Sequence, residues 1–118
     1  MTSRRLHRTA YIEGWDELDA SKLVGAVTDD FAFDDPMESK PITRDSLSDY
    51  MRRWDERVKA LGGSGEFELS DVVEVDEDGV LVCWEWWRCV GTPLEGAAIV
   101  KTSDAGVFSE RIVYRQSI

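Results

Sequence analysis

The sequence predicts an α+β domain whose helices come first and pack on one face of a curved antiparallel sheet. Apolar residues recur at steps of three and four as far as Leu61, and the period switches to two after Gly65. Glycine and Asp-Gly turns then punctuate the rest of the chain. With 118 residues, 42% of them hydrophobic, the stretch 1–118 has the size of a single domain and can bury one continuous core.

Between Arg5 and Leu18 the residues Leu6, Ala10, Tyr11, Trp15 and Leu18 keep the helical period, which predicts a first helix. Asp19 reads as the N-cap of a short second helix through Val27, with Leu23, Val24 and Val27 on its inner side. Phe31-Ala-Phe-Asp reads as a short strand closed by Asp35-Pro36, because proline lacks a ladder donor and biases its predecessor to an extended conformation. Thr43-Arg-Asp-Ser should cap the longest helix, on which Leu47, Tyr50, Met51, Trp54, Val58 and Leu61 form one stripe until Gly62-Gly63 ends it.

Phe67, Leu69, Val73 and Val75 then alternate with polar residues up to the turn at Asp76–Gly79. Asp71 interrupts that apolar register, so it marks a bulge or a carboxylate aimed at a cavity. The strand Val80 to Val90 is apolar on both faces except for Glu85 and Arg88, and so needs cover on both sides. Strands at Leu94–Thr102 and Val107–Arg115 complete a meander. The second apolar face of Val80–Val90 predicts a homodimer formed through the sheet.

The net charge of −10, from 24 acidic against 14 basic residues, argues against nucleic acid and anionic membranes as partners. Uncharged or cationic small ligands fit better. No window approaches ~18 consecutive apolar residues, so a cytoplasmic protein is expected. Cys83 and Cys89 lie on one predicted strand roughly 20 Å apart, too far for a disulfide, and they lack metal-ligand spacing. They read as buried structural thiols. No cofactor is expected.

The order of elements resembles the nuclear transport factor 2-like superfamily over nearly the whole chain. The segment from Tyr11-Ile-Glu13 through Asp35-Pro36 is similar to the corresponding run of the ketosteroid isomerases, and to the broader SnoaL-like polyketide cyclases. The resemblance implies a cone-shaped sheet around a pocket for a hydrophobic small-molecule ligand, polyketide- or steroid-like. It further implies that Asp35 moves a proton next to a carbonyl and that Tyr11 stabilises the enolate oxygen. In the isomerases a carboxyl group kept protonated serves as a second oxyanion donor, and here its place falls on Ala98. The supporting tyrosine of the isomerases falls on Met51, with Tyr50 one step away. The catalytic aspartate of the cyclases falls on Val113.

Each candidate has a functional and a plainer reading. Asp35 is a desolvated general base beside Phe31 and Phe33, or a turn aspartate before proline. Tyr11 is an oxyanion donor, or a core aromatic bonded to a carboxylate. In the family register Arg111, Val113 and Arg115 look into the cone, where the arginines would pair with Asp35, Glu85 or Asp71 or bind an acidic ligand; otherwise they lie on a solvated face. Glu85 is a perturbed acid or a salt-bridged structural one. Phe33, Tyr50, Trp15, Trp54 and Trp87 line a pocket, or are core and dimer interface. The leading function is thus proton abstraction next to a carbonyl, as in an isomerase or a cyclase. The alternative is a non-catalytic ligand-binding or protein-interaction module.

Overall fold

The computed structural model describes residues 1–115. Helix α1 (Ser3–Glu17) starts at Thr2, whose side chain accepts from the Arg5 N–H, and ends at Leu18 in the left-handed conformation. Asp19 caps α2 (Ala20–Gly25), as its sequence position predicts. The two helices approach closely at Gly14, where a Cβ would come within 2.8 Å of the Leu23 nitrogen. Thr43 and Ser46 form a reciprocal capping box, and a turn of 3-10 helix (Arg44–Ser46) leads into α3 (Leu47–Ala60). Gly62, with φ +92°, breaks that helix.

The strands are β1 (Val27–Asp34), β2 (Ile42–Thr43), β3 (Phe67–Glu77), β4 (Val80–Cys89), β5 (Glu95–Ser103) and β6 (Gly106–Tyr114). They form one sheet in the order β2-β1-β6-β5-β4-β3. From β3 to β6 the strands are an antiparallel meander, but β1 runs parallel to β6. The sheet is therefore mixed rather than purely antiparallel. Pairing with β6 also claims Val27, which begins β1 instead of ending the second helix; the Val107 N–H donates to the Ala26 carbonyl at 2.9 Å.

Asp71 sits at a bulge, with φ +51° and a register shift between Ser70 and Val73. The extra residue inverts the side-chain parity of β3. Phe67 and Leu69 face the core, whereas Val73 and Val75 pair with Trp84 and Val82 on the outer face. Their inner places go to Glu74 and Asp76, which hold α1 through Arg5 (2.8 Å) and Arg4 (2.7 Å). The Asp71 side chain is exposed, so the bulge reading holds and the cavity-carboxylate reading does not.

On β4 the inner residues Leu81, Cys83, Glu85, Trp87 and Cys89 are buried. Both cysteines are free, and burial pushes both thiols up from their ordinary value. The helices cover this inner face. On the other side Val73, Val75, Ile99 and Val113 are exposed beside the half-buried Trp84 and Trp86. Among the described residues no helix is long and apolar enough to cross a membrane.

Candidate functional site

A cavity of about 90 Å³ lies between the helices and the inner face of the sheet. That is several times the ~10–15 Å³ that one water requires, so it suits a compact ligand; a rigid polycycle would have to push the walls apart. Helix α1 supplies Tyr11, Ile12 and Trp15, and α3 supplies Tyr50, Trp54, Asp55 and Val58. Phe33 comes from β1, Phe67 and Leu69 from β3, and Glu85, Trp87 and Cys89 from β4. Ala98 on β5 and Glu110 and Ile112 on β6 close the wall, and Leu18, Gly65 and Glu66 complete it from the loops.

The helical period explains the α1 contribution. Arg8, Tyr11 and Trp15 fall on one stripe, which turns a guanidinium, a phenol and an indole toward the sheet. The Tyr11 hydroxyl donates to Glu110 Oε1 at 2.6 Å. Burial, followed by the Glu110 charge, pushes the phenol well above its ordinary value, so Tyr11 keeps its proton. Burial also pushes the Glu110 carboxyl up to about 7; the Tyr11 hydrogen bond opposes that rise, Glu85 adds to it and Arg8 counters it. Glu110 is half-buried as a residue and lines the cavity.

Glu85 is buried and forms an ion pair with Arg8, whose Nη1 is buried without a partner. Burial works against the Arg8 charge, and Glu85 more than restores it. Glu85 is therefore salt-bridged and also reaches the cavity. The Arg8 pair shields it from behind.

Asp35 has a different place. It is buried but is not part of the cavity wall. Tyr50 donates to its Oδ2 at 2.6 Å, Tyr114 donates to both oxygens at 2.9 and 3.0 Å, and the Met37 N–H donates to Oδ1 at 2.9 Å. Arg57 in turn donates to the Tyr114 hydroxyl at 2.8 Å and lies over the Trp54 ring at 4.5 Å. Burial and Asp35 together raise the Tyr50 phenol above its ordinary value, and Tyr114 is raised by burial first. Tyr11 and Asp35 thus belong to separate hydrogen-bond networks.

Of the residues singled out from sequence, Tyr11, Trp15, Phe33, Tyr50, Trp54, Glu85, Trp87 and Ala98 meet at the cavity. Arg111, Val113 and Arg115 do not. Their alternation along β6 puts all three on the outer face, where Val113 is 57% exposed and Arg111 lies 3.6 Å from Asp34. The physical reason is the period of two: Ile112 packs in the core, so its neighbours must point out. The same parity brings in Glu110, which the family register puts on the outer side. Its signal in the sequence is an acid between apolar residues on one strand face, Phe108 to Tyr114. Among the described residues no group of three or more His, Cys, Asp or Glu side chains is arranged to hold a metal ion.

No protein-family model and no curated protein matches the chain. Solved structures do match. An NTF2-like protein from Anabaena variabilis superposes with a TM-score of 0.69 at 13% identity, covering 98% of this chain and 88% of that one. A protein carrying the polyketide cyclase name, from Xanthomonas campestris, gives 0.65 at 17% identity, covering 97% and 93%. One carrying the ketosteroid isomerase name, from Kribbella flavida, gives 0.65 at 12% identity, covering 98% and 80%. At these identities the likeness is one of fold. The helices on the inner face, the mixed curved sheet and these superpositions together identify the nuclear transport factor 2-like fold in this chain.

Proposed function

We propose that the protein is a cofactor-independent proton-transfer enzyme, an isomerase or a cyclase, acting next to the carbonyl of a compact hydrophobic compound. The observation that carries this reading is Glu110: a carboxyl held at about 7 in an apolar cavity, in contact with a phenol that keeps its proton. Glu110 in its ionised form takes the proton α to the carbonyl. Tyr11 turns its hydroxyl from Glu110 to the enolate oxygen that forms. Glu110 then returns the proton to a second carbon, which completes an isomerisation, or the enolate carbon attacks a second carbonyl, closing a ring, and the alkoxide that forms takes the proton from Glu110. The cavity volume favours monocyclic or acyclic ketones over steroid-sized ones.

The test is deuterium exchange α to the carbonyl, followed by NMR over a panel of small β,γ-unsaturated ketones and diketones. Exchange that disappears in Glu110→Gln supports the reading. A folded protein silent across the panel would sink it.

A ligand-binding module is the second reading, and Ala98 favours it. This residue is buried in the wall and offers no donor to an oxyanion. Saturable ligand binding with no exchange would select it. In either case a second copy of the chain is proposed to cover the outer face around Trp84, Trp86, Ile99 and Val113. Sedimentation velocity should then find a dimer that Ile99→Glu dissociates. We place the protein in the cytoplasm, where two free buried thiols stay reduced.

A further inference from the structure

Helix α1 sets Arg8 and Tyr11 three residues apart, so the two side chains are neighbours on its inner face. Each takes a carboxyl from the sheet. Tyr11 donates to Glu110 Oε1 at 2.6 Å, and Arg8 Nη2 donates to Glu85 Oε2. The strand register brings the two acids near each other: Glu85 lies opposite Ala98 on β5, and Glu110 lies opposite Val100, one inward step along the same strand. Ala98 and Val100 place no charge between them.

The pair with Glu85 does not exhaust the guanidinium. Arg8 is 9% exposed and its Nη1 is buried without a hydrogen-bond partner, so part of its charge is unmatched in surroundings that screen it weakly. Fastening α1 to the sheet would not by itself need a buried ion pair, since apolar packing in its place is often neutral or stabilising. The other groups around Glu110 supply no positive charge. Tyr11 and Tyr50 are phenols from the helices, Glu85 is an acid, Cys83 is a thiol in the same cross-strand row, and the β1 neighbour is Phe33. Among the described residues Arg8 is the one cation that acts on Glu110.

We propose that Arg8 is a positioning residue for Glu110: Glu85 holds the guanidinium beneath α1, and the charge left over keeps the ionised base stable in the apolar cavity. The inference rests on Glu110 being the base, as proposed above, and it adds the pair that sets the pH at which that base works. Without Arg8, burial and Glu85 would both favour the neutral acid, which takes no proton from a ketone.

Carbon-detected NMR titration of Glu110 in three variants reads this role. Arg8→Met removes the cation and should raise the midpoint by about one to three pH units, whereas Glu85→Gln frees Arg8 for Glu110 and should lower it by as much. Arg8→Met combined with Glu85→Gln removes two opposed effects and should return the midpoint to within about half a pH unit of wild type. The pH profile of ketone exchange should move with each midpoint. A pair that merely fastens the helix would change stability and leave the midpoint in place, and that result overturns the inference. Should either single variant fail to fold, the Arg8 guanidinium resonance of the wild type decides: it must shift with the Glu110 midpoint, and a flat signal overturns the inference. Midpoint shifts with no exchange in any of these proteins keep the Arg8 role and discard the catalytic reading; exchange whose pH profile the variants do not move does the reverse.

Discussion

Two carboxyl groups in this protein, the buried Asp35 and the half-buried Glu110, accept hydrogen bonds from tyrosines, and they end in opposite situations. Asp35 receives hydrogen bonds from Tyr50, Tyr114 and the Met37 N–H, and it lies outside the cavity wall. Glu110 receives one, from Tyr11, and lines the cavity. The two acids differ in the number of donors they receive and in their access to the cavity, and on the mechanism proposed above only Glu110 exchanges a proton with a ligand. Residue type alone, a carboxyl beside a phenol, does not.

The largest expected effect that tests this contrast is on turnover. Glu110→Gln should lower ketone exchange by about 10²- to 10⁴-fold, the usual range for a general base, while Asp35→Asn should cost less than about tenfold. Equal losses would erase the distinction. On stability the order reverses. Asp35→Ala strips the acceptor from Tyr50 and Tyr114 and should cost about 3–5 kcal/mol in urea unfolding, as breaking a buried network does; Glu110→Gln should be neutral or stabilising at neutral pH.

The pH dependence has a definite sign. The Glu110 carboxyl titrates at about 7 in the folded protein against 4.5 as its ordinary value, so the native state holds its proton more tightly. Its contribution to stability is therefore complete below about 4.5 and is lost as pH rises through about 7. The whole change is about 3 kcal/mol, and Glu110→Gln should flatten it in unfolding curves taken across that window. Exchange activity should climb over the same range, because the base works ionised. The smallest effect is on the titration itself. Tyr11→Phe removes the hydrogen bond that opposes the rise and should move the Glu110 midpoint further up, read by carbon-detected NMR; Tyr114→Phe should leave it in place.

Much of this is legible in the sequence because it is local. Asp19 and Thr43 announce helix starts, Gly62 an end, and the stripe from Leu47 to Val58 a core face. The aromatic cavity wall follows from the same stripes: Tyr11 and Trp15 on one helix, Tyr50 and Trp54 on another. What escapes depends on partners distant in sequence. Val27 to Asp30 joins β1 because of the parallel pairing with β6, where Val27 lies opposite Val107. The inward side of β6 is set by its contact with the helices, and a family register that sends Arg111 and Arg115 inward hides Glu110. Val73 and Val75 look like a continuation of Phe67 and Leu69 because an alternating pattern carries no mark of a skipped residue, although Asp71 points to the place.

That bulge divides one strand between two tasks. Before Asp71, β3 contributes Phe67 and Leu69 to the ligand cavity; after it, Val73 and Val75 belong to the exterior while Glu74 and Asp76 moor α1. Substitutions on either side of the bulge can therefore drift independently, one half adapting to what the protein holds and the other to what it touches. Deleting Asp71 would leave Val72 alone opposite Glu85 in an unbroken alternation, with Val73 and Val75 still outward and Glu74 and Asp76 still holding the helix that carries Tyr11, so both surfaces should survive the loss of the bulge.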